Sequence, residues 1–158
     1  MNSKGFTLIE LVVVIVILGI LAVTAAPKYI NLSADAHTST LEGVEAAIEG
    51  AAALVYGKSI VKGNHKDPAA DTPTVELANG DVISLTYGYP DDSINDWRDK
   101  LLKLDLSTFA YTDTVDDTII IYLVEDDEPT SVSQDCLTFY KVSNGIGLKP
   151  EIGTNACN

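Results

Sequence analysis

Residues 8–26 read LIELVVVIVILGILAVTAA, a run of 19 residues interrupted only by Glu10, Gly19 and Thr24. A helix of that length matches the hydrocarbon thickness of a bilayer, so the run predicts a membrane-spanning helix. A secretory signal peptide is the rival reading, with Lys4 as its basic flank and Ala22, Ala25 and Ala26 as small residues for cleavage. Against it stand the short basic region Met1–Gly5, the length of the apolar run and the acid inside it.

Glu10 needs an explanation, because a carboxylate in hydrocarbon must take up a proton, reach the interface or find a cation. Cutting the chain between Gly5 and Phe6 would create a cation, the new α-amino group of Phe6. Pairing that group with Glu10 of a neighbouring copy replaces two isolated buried charges by a neutral couple. The stretch Gly5-Phe6-Thr7-Leu8-Ile9-Glu10, followed by the long apolar run, resembles the processing motif of type IV pilins and the related pseudopilins. The resemblance implies that an inner-membrane prepilin peptidase cuts after Gly5 and N-methylates Phe6, and that Phe6 and Glu10 act in assembly.

Farther along, AAPKYINL (residues 25–32) and AAIEGAAALVYGK (residues 46–58) are similar to the mannose-sensitive haemagglutinin branch of the type IVa major pilins. That likeness covers Gly5 to Lys58 and implies retractable fibres for attachment, adhesion and biofilm formation. It also implies a homopolymer, an inner-membrane precursor that becomes an extracellular fimbrium, and an inner-membrane assembly platform with ATPase motors.

Glycine in a helix costs about 1 kcal/mol relative to alanine, and an interior proline about 3 kcal/mol with a lost hydrogen bond. The apolar helix should therefore be weakest between Gly19 and Pro27. In assembled type IV pilins this stretch loses helicity, so the resemblance implies the same here.

Beyond Pro27, Leu41, Val44, Ile48, Ala51 or Ala52, and Val55 recur at helical spacing, with Asp35, Glu42, Glu45 and Glu49 largely elsewhere on the cylinder. Gly57 and Gly63 are candidate stops. A continuous helix from Phe6 to Lys62 would be a spine of about 85 Å. Residues 63–74 read as a loop, and Val75 to Leu85 as a hairpin around Asn79-Gly80. Ile94, Trp97, Leu101 and Leu104 form a short helical pattern with Ser93 as its cap. Thr118–Val124, Leu137–Val142 and, after a turn at Asn144-Gly145, Ile146–Leu148 supply further strands.

The predicted fold is α+β, a long N-terminal helical spine packed by a C-terminal four-stranded antiparallel sheet, the "lollipop" that the pilin resemblance also implies. Its parts are a cleaved leader 1–5, an apolar transmembrane and fibre-core helix 6–27, an amphipathic helix 28–62, and a region 63–158. The last part holds the loop, the sheet and a disulfide-bounded C-terminus.

The chain has 158 residues and a formal charge of -13, so its surface repels nucleic-acid phosphates and nucleic acid is not among its expected partners. Cys136 and Cys157 have no ligand cluster around them in sequence, and a single disulfide is the reading they favour. It would close a loop worth roughly 3 kcal/mol and place the domain outside the cytoplasm. Asp113, Asp116 and Asp117, and separately Glu125, Asp126, Asp127 and Glu128, could offer oxygens to calcium, but neither group has EF-hand spacing. Solvated turns protecting a strand edge account for them more simply.

No cofactor and no enzyme activity are expected. Gly57-Lys58-Ser59 ends like a phosphate loop, but Ala52 stands where that loop needs glycine. Gly145 and Gly147 begin a dinucleotide-binding spacing that Pro150 breaks. His37 and His65 lie far from any nucleophile motif or cysteine in sequence and are expected to be solvated. Asn31-Leu32-Ser33 is a glycosylation sequon next to a segment that neighbours would crowd. Three other readings share this N-terminus: a pseudopilin of a type II secretion system, a minor pilin or tip adhesin, and a membrane-anchored protein that never polymerises.

Overall fold

The computed structural model describes residues 5–158, without the side chains of residues 26–31; residues 1–4 of the expected leader and the ring of Pro27 lie outside that description. Helix α1 runs unbroken over Leu8–Lys62, 55 residues or about 82 Å. Gly19 and Gly57 are therefore interior, and the stop is Gly63, whose left-handed φ of 83° lets its N–H reach Ser59 and Ile60 carbonyls.

After a 3-10 turn at Ala69–Asp71 come β1 (Thr74–Glu76), β2 (Val82–Thr86) and β3 (Tyr89–Pro90), which form a three-stranded antiparallel sheet. A short π-helical segment, α2 (Asp96–Leu102), follows, and its approach is capped by Ser93, whose hydroxyl accepts from Asp96 N–H at 3.4 Å. The second sheet holds β4 (Phe109–Val115), β5 (Thr118–Leu123), β6 (Leu137–Lys141) and β7 (Glu151–Asn155) in that antiparallel order.

This corrects the strand assignment in two places. The hairpin around Asn79-Gly80 belongs to the smaller sheet, and the four-stranded sheet is completed by β4, whose run of strand-forming residues is interrupted by Asp113. Residues 146–148 form a turn, with Leu148 N–H donating to Gly145 O, and the last strand is β7. Gly153 hides that strand from propensity, yet it fits because the Phe139 ring lies 3.1 Å from where a Cβ would stand.

Among the described residues, only those in the C-terminal half of α1 pack against the rest of the chain. Leu41, Val44, Ile48, Ala52 and Val55 are buried at the predicted helical spacing. Val44, Ile48 and Ala52 meet Trp97, Ile119, Ile121 and Tyr140 in one core, and Val55 meets Val75, Ile83 and Leu85 in a second. The Trp97 and Tyr140 rings lie 4.4 Å apart, and each satisfies its polar atom: Trp97 Nε1–H donates to Asp91 O and Tyr140 O–H to Pro90 O. Burial first, then nearby acids, pushes the Tyr140 hydroxyl well above the usual tyrosine range, so it stays a donor.

Candidate assembly site

The first turn of α1 is built by a reciprocal cap. Thr7 is the N-cap in extended conformation, and its hydroxyl oxygen accepts from Glu10 N–H at 3.4 Å. Glu10 Oε2 reaches back to accept from Thr7 N–H at 2.8 Å and from Thr7 Oγ1–H at 2.8 Å. The carboxylate thus lies at the positive end of the helix dipole. Thr7 was not singled out from the sequence, although Thr7-x-x-Glu10 ahead of an apolar run is the pattern of a capping box.

Gly5 and Phe6 precede the helix, and both are exposed, Phe6 at 87%. Atoms of Phe6, Ile9, Glu10, Val13 and Val14 surround a shallow hollow beside the cap. Leu8–Ala25 is the one helix among the described residues long and apolar enough to cross a membrane, and none of it is buried within the chain. Inside this span Thr24 Oγ1–H turns back to the Leu21 carbonyl at 3.0 Å, leaving no exposed hydroxyl donor to hydrocarbon.

Near the C-terminus, Cys136 and Cys157 form a disulfide. Cys157 N–H donates to Thr38 Oγ1 at 2.9 Å, and Thr138 Oγ1–H to Leu41 O at 3.0 Å, so the C-terminus is tied to the middle of α1. The six candidate calcium ligands are not one set. Asp113, Asp116 and Asp117 lie in and after β4, whereas Glu125, Asp126 and Asp127 follow the far end of β5. Among the described residues the one gathering of three metal-ligating side chains is His37 with Cys136 and Cys157.

The histidines also differ from expectation. His65 is half-buried, with its Nδ1 enclosed and without a hydrogen-bond partner among the described residues, and its ring meets Tyr56 edge-on. His37 is half-exposed, and its Nδ1 stands 3.3 Å from Glu125 Oε1. Both placements arise from contacts between distant segments, which spacing along the chain does not carry.

Residues 1–26 match the Prokaryotic N-terminal methylation motif. The chain is 44% identical over 95 residues to the Type IV narrow pilus major component PilA5 of Thermus thermophilus, a match spanning 59% of this chain and 76% of that protein. It is 48% identical over 64 residues to the Type IV major alpha-pilin of Moraxella bovis, spanning 39% of this chain and 40% of that one. It is 40% identical over 80 residues to the Type IV major fimbrial protein FimA of Dichelobacter nodosus, spanning 51% of this chain and 47% of its relative. No solved structure gives a significant match.

An apolar span that none of the described residues bury, a capped N-terminus behind an exposed Gly-Phe bond and an α+β head are the parts of a polymer subunit, and the chain belongs to the type IV pilins. It is a type IVa pilin of the major-subunit kind, and the family is structural.

Proposed function

We propose that a prepilin peptidase cuts this chain between Gly5 and Phe6, that Phe6 becomes N-methylated, and that the mature subunit polymerises into an extracellular fibre for surface attachment, adhesion and biofilm formation. The observation that carries this reading is the apolar span Leu8–Ala25, none of which is buried by the described residues. Fourteen large apolar side chains from Phe6 to Val23 are exposed. At about 1.5–3 kcal/mol each, holding them in water would cost on the order of 20–40 kcal/mol. A subunit must therefore pass directly from the lipid of the inner membrane to a fibre of its own copies, which couples extraction to assembly and calls for an assembly platform with ATPase motors.

Within the fibre, Glu10 exchanges the Thr7 cap for, or shares it with, the Phe6 α-amino group of a neighbouring copy. Gly19 and Pro27 mark the stretch that extends under load. The similarity of residues 25–32 and 46–58 supports the mannose-sensitive haemagglutinin branch.

Intact-mass and N-terminal analysis of protein sheared from the cell surface tests the reading. The expected result is an abundant form beginning at N-methylated Phe6 with its disulfide closed. The same terminus confined to the inner membrane would assign the chain to the pseudopilins, and an uncut Met1 form would make it a plain membrane anchor.

A further inference from the structure

His37 lies on α1 and the cysteines in the last quarter of the chain, yet the fold brings a His37 ring nitrogen and both sulfurs within 4.8 Å of one another. Glu125 stands 3.3 Å from His37 Nδ1, and a carboxylate on one ring nitrogen orients an imidazole so that the other nitrogen can ligate a metal. Asp126 and Asp135 line the same hollow, and among the described residues no lysine or arginine does. Tetrahedral zinc, with sulfur at about 2.3 Å and nitrogen at about 2.0 Å, needs its ligand atoms about 3.5–3.8 Å apart; His37 already stands within 4.8 Å of the sulfurs, and the two sulfurs reach that separation once the bond between them is open. As a disulfide the sulfurs are poor ligands; as thiolates they are strong ones.

We propose that, while Cys136 and Cys157 are still thiols, the chain binds one divalent cation of the zinc class through His37 and the two thiolates, and that closing the disulfide expels it. The fourth position is open to water or to a carboxylate of the hollow. Binding displaces two thiol protons to solvent. An oxidised dithiol donor then takes two electrons from the sulfurs, its own disulfide becoming two thiols with two protons from water, and the cation leaves with its charge unchanged. In the interval the cation holds the C-terminus against α1, with the cysteines side by side.

The full chain in detergent, reduced with a phosphine and freed of reductant, is titrated with zinc chloride against a chromophoric chelator. The expected result is one zinc per reduced chain, none on the oxidised chain, and affinity at least about tenfold weaker in H37A. Glu125→Gln, a substitution at an exposed side chain, should weaken zinc binding by about 10–100-fold. Unchanged thermal unfolding of both oxidised variants shows that their fold is intact. No uptake by the reduced chain, equal uptake by reduced H37A, or equal uptake by the oxidised chain would each overturn the proposal. The second of these would reveal a bare dithiol, and the third the surface acids.

Discussion

Glu10 Oε2 accepts both the Thr7 backbone N–H and the Thr7 hydroxyl at 2.8 Å, so the acid inside the apolar helix has a partner in its own chain. That partner satisfies hydrogen bonding without supplying a positive charge, and among the described residues no cation pairs with Glu10. Thr7→Val removes the hydroxyl and should loosen the first turn by about 0.5–2 kcal/mol while fibres still form. Glu10→Gln keeps the shape, removes the charge and should abolish sheared fibres. Pilus yield from the two strains separates cap from charge: equal loss in both would mean that the cap, and no charge pair between copies, is what assembly needs.

Trp97 fills the space between α1 and β6 against Tyr140 and has no exposed surface. Trp97→Ala should destabilise the folded head by about 3–5 kcal/mol. For a head of this size that lowers the midpoint of thermal unfolding by more than about 10 °C, read by circular dichroism on detergent-solubilised chain.

Gly88 has φ 86°, and a Cβ there would lie 2.8 Å from His65 Cα and from Ser59 Oγ. Gly88→Ala should therefore cost more than about 1 kcal/mol, because both the left-handed backbone and the approach of β3 to the end of α1 oppose it. Gly57 is helical and exposed with nothing within 4 Å, so Gly57→Ala should stabilise by about 0.5–1 kcal/mol. Opposite shifts in thermal midpoint are the expected outcome.

Asp92 is held above its ordinary 3.8, first by burial and then by the charges of Asp91, Asp117 and Asp113. The folded state therefore binds this proton more tightly than the unfolded chain, and the group's contribution to stability rises as pH falls through the raised value toward 3.8. Asp92→Asn should raise the thermal midpoint at neutral pH by less than about 1 kcal/mol equivalent, since the side chain is partly solvated. The gain should fade below 3.8, where the native carboxyl is neutral in both states. A gain that persists there would assign the effect to packing.

Opening the Cys136–Cys157 bridge, whose sequence separation is 21, should cost roughly 3 kcal/mol in loop entropy. The readout is the thermal midpoint of oxidised chain against phosphine-reduced chain with chelator present. The loss should fall on the C-terminal contacts at Thr38 and Leu41 and spare the core around Val55 and Ile83.

Most of the architecture is local information. A run of apolar residues with one acid, Leu41, Val44, Ile48, Ala52 and Val55 at helical spacing, Asn79-Gly80 between two short strands, and Thr118–Leu123 as a β-forming run each signal their structure within a few residues, because periodicity and turn chemistry act over that range. The capping box at Thr7 and Glu10 was equally local. What the tertiary structure alone decided is which distant segments share a surface. β4 becomes a strand because β5 pairs with it and Thr112 Oγ1–H finds Glu128, and β7 tolerates Gly153 because Phe139 covers it. The hairpin joins a separate sheet because α1 is long enough to bury two cores in succession. His37 comes to lie against the disulfide because Thr38 receives the Cys157 N–H, a contact no spacing along the chain encodes. Through-space packing and hydrogen bonding are summed over the whole fold, and a residue's sequence neighbours report only their own share of that sum.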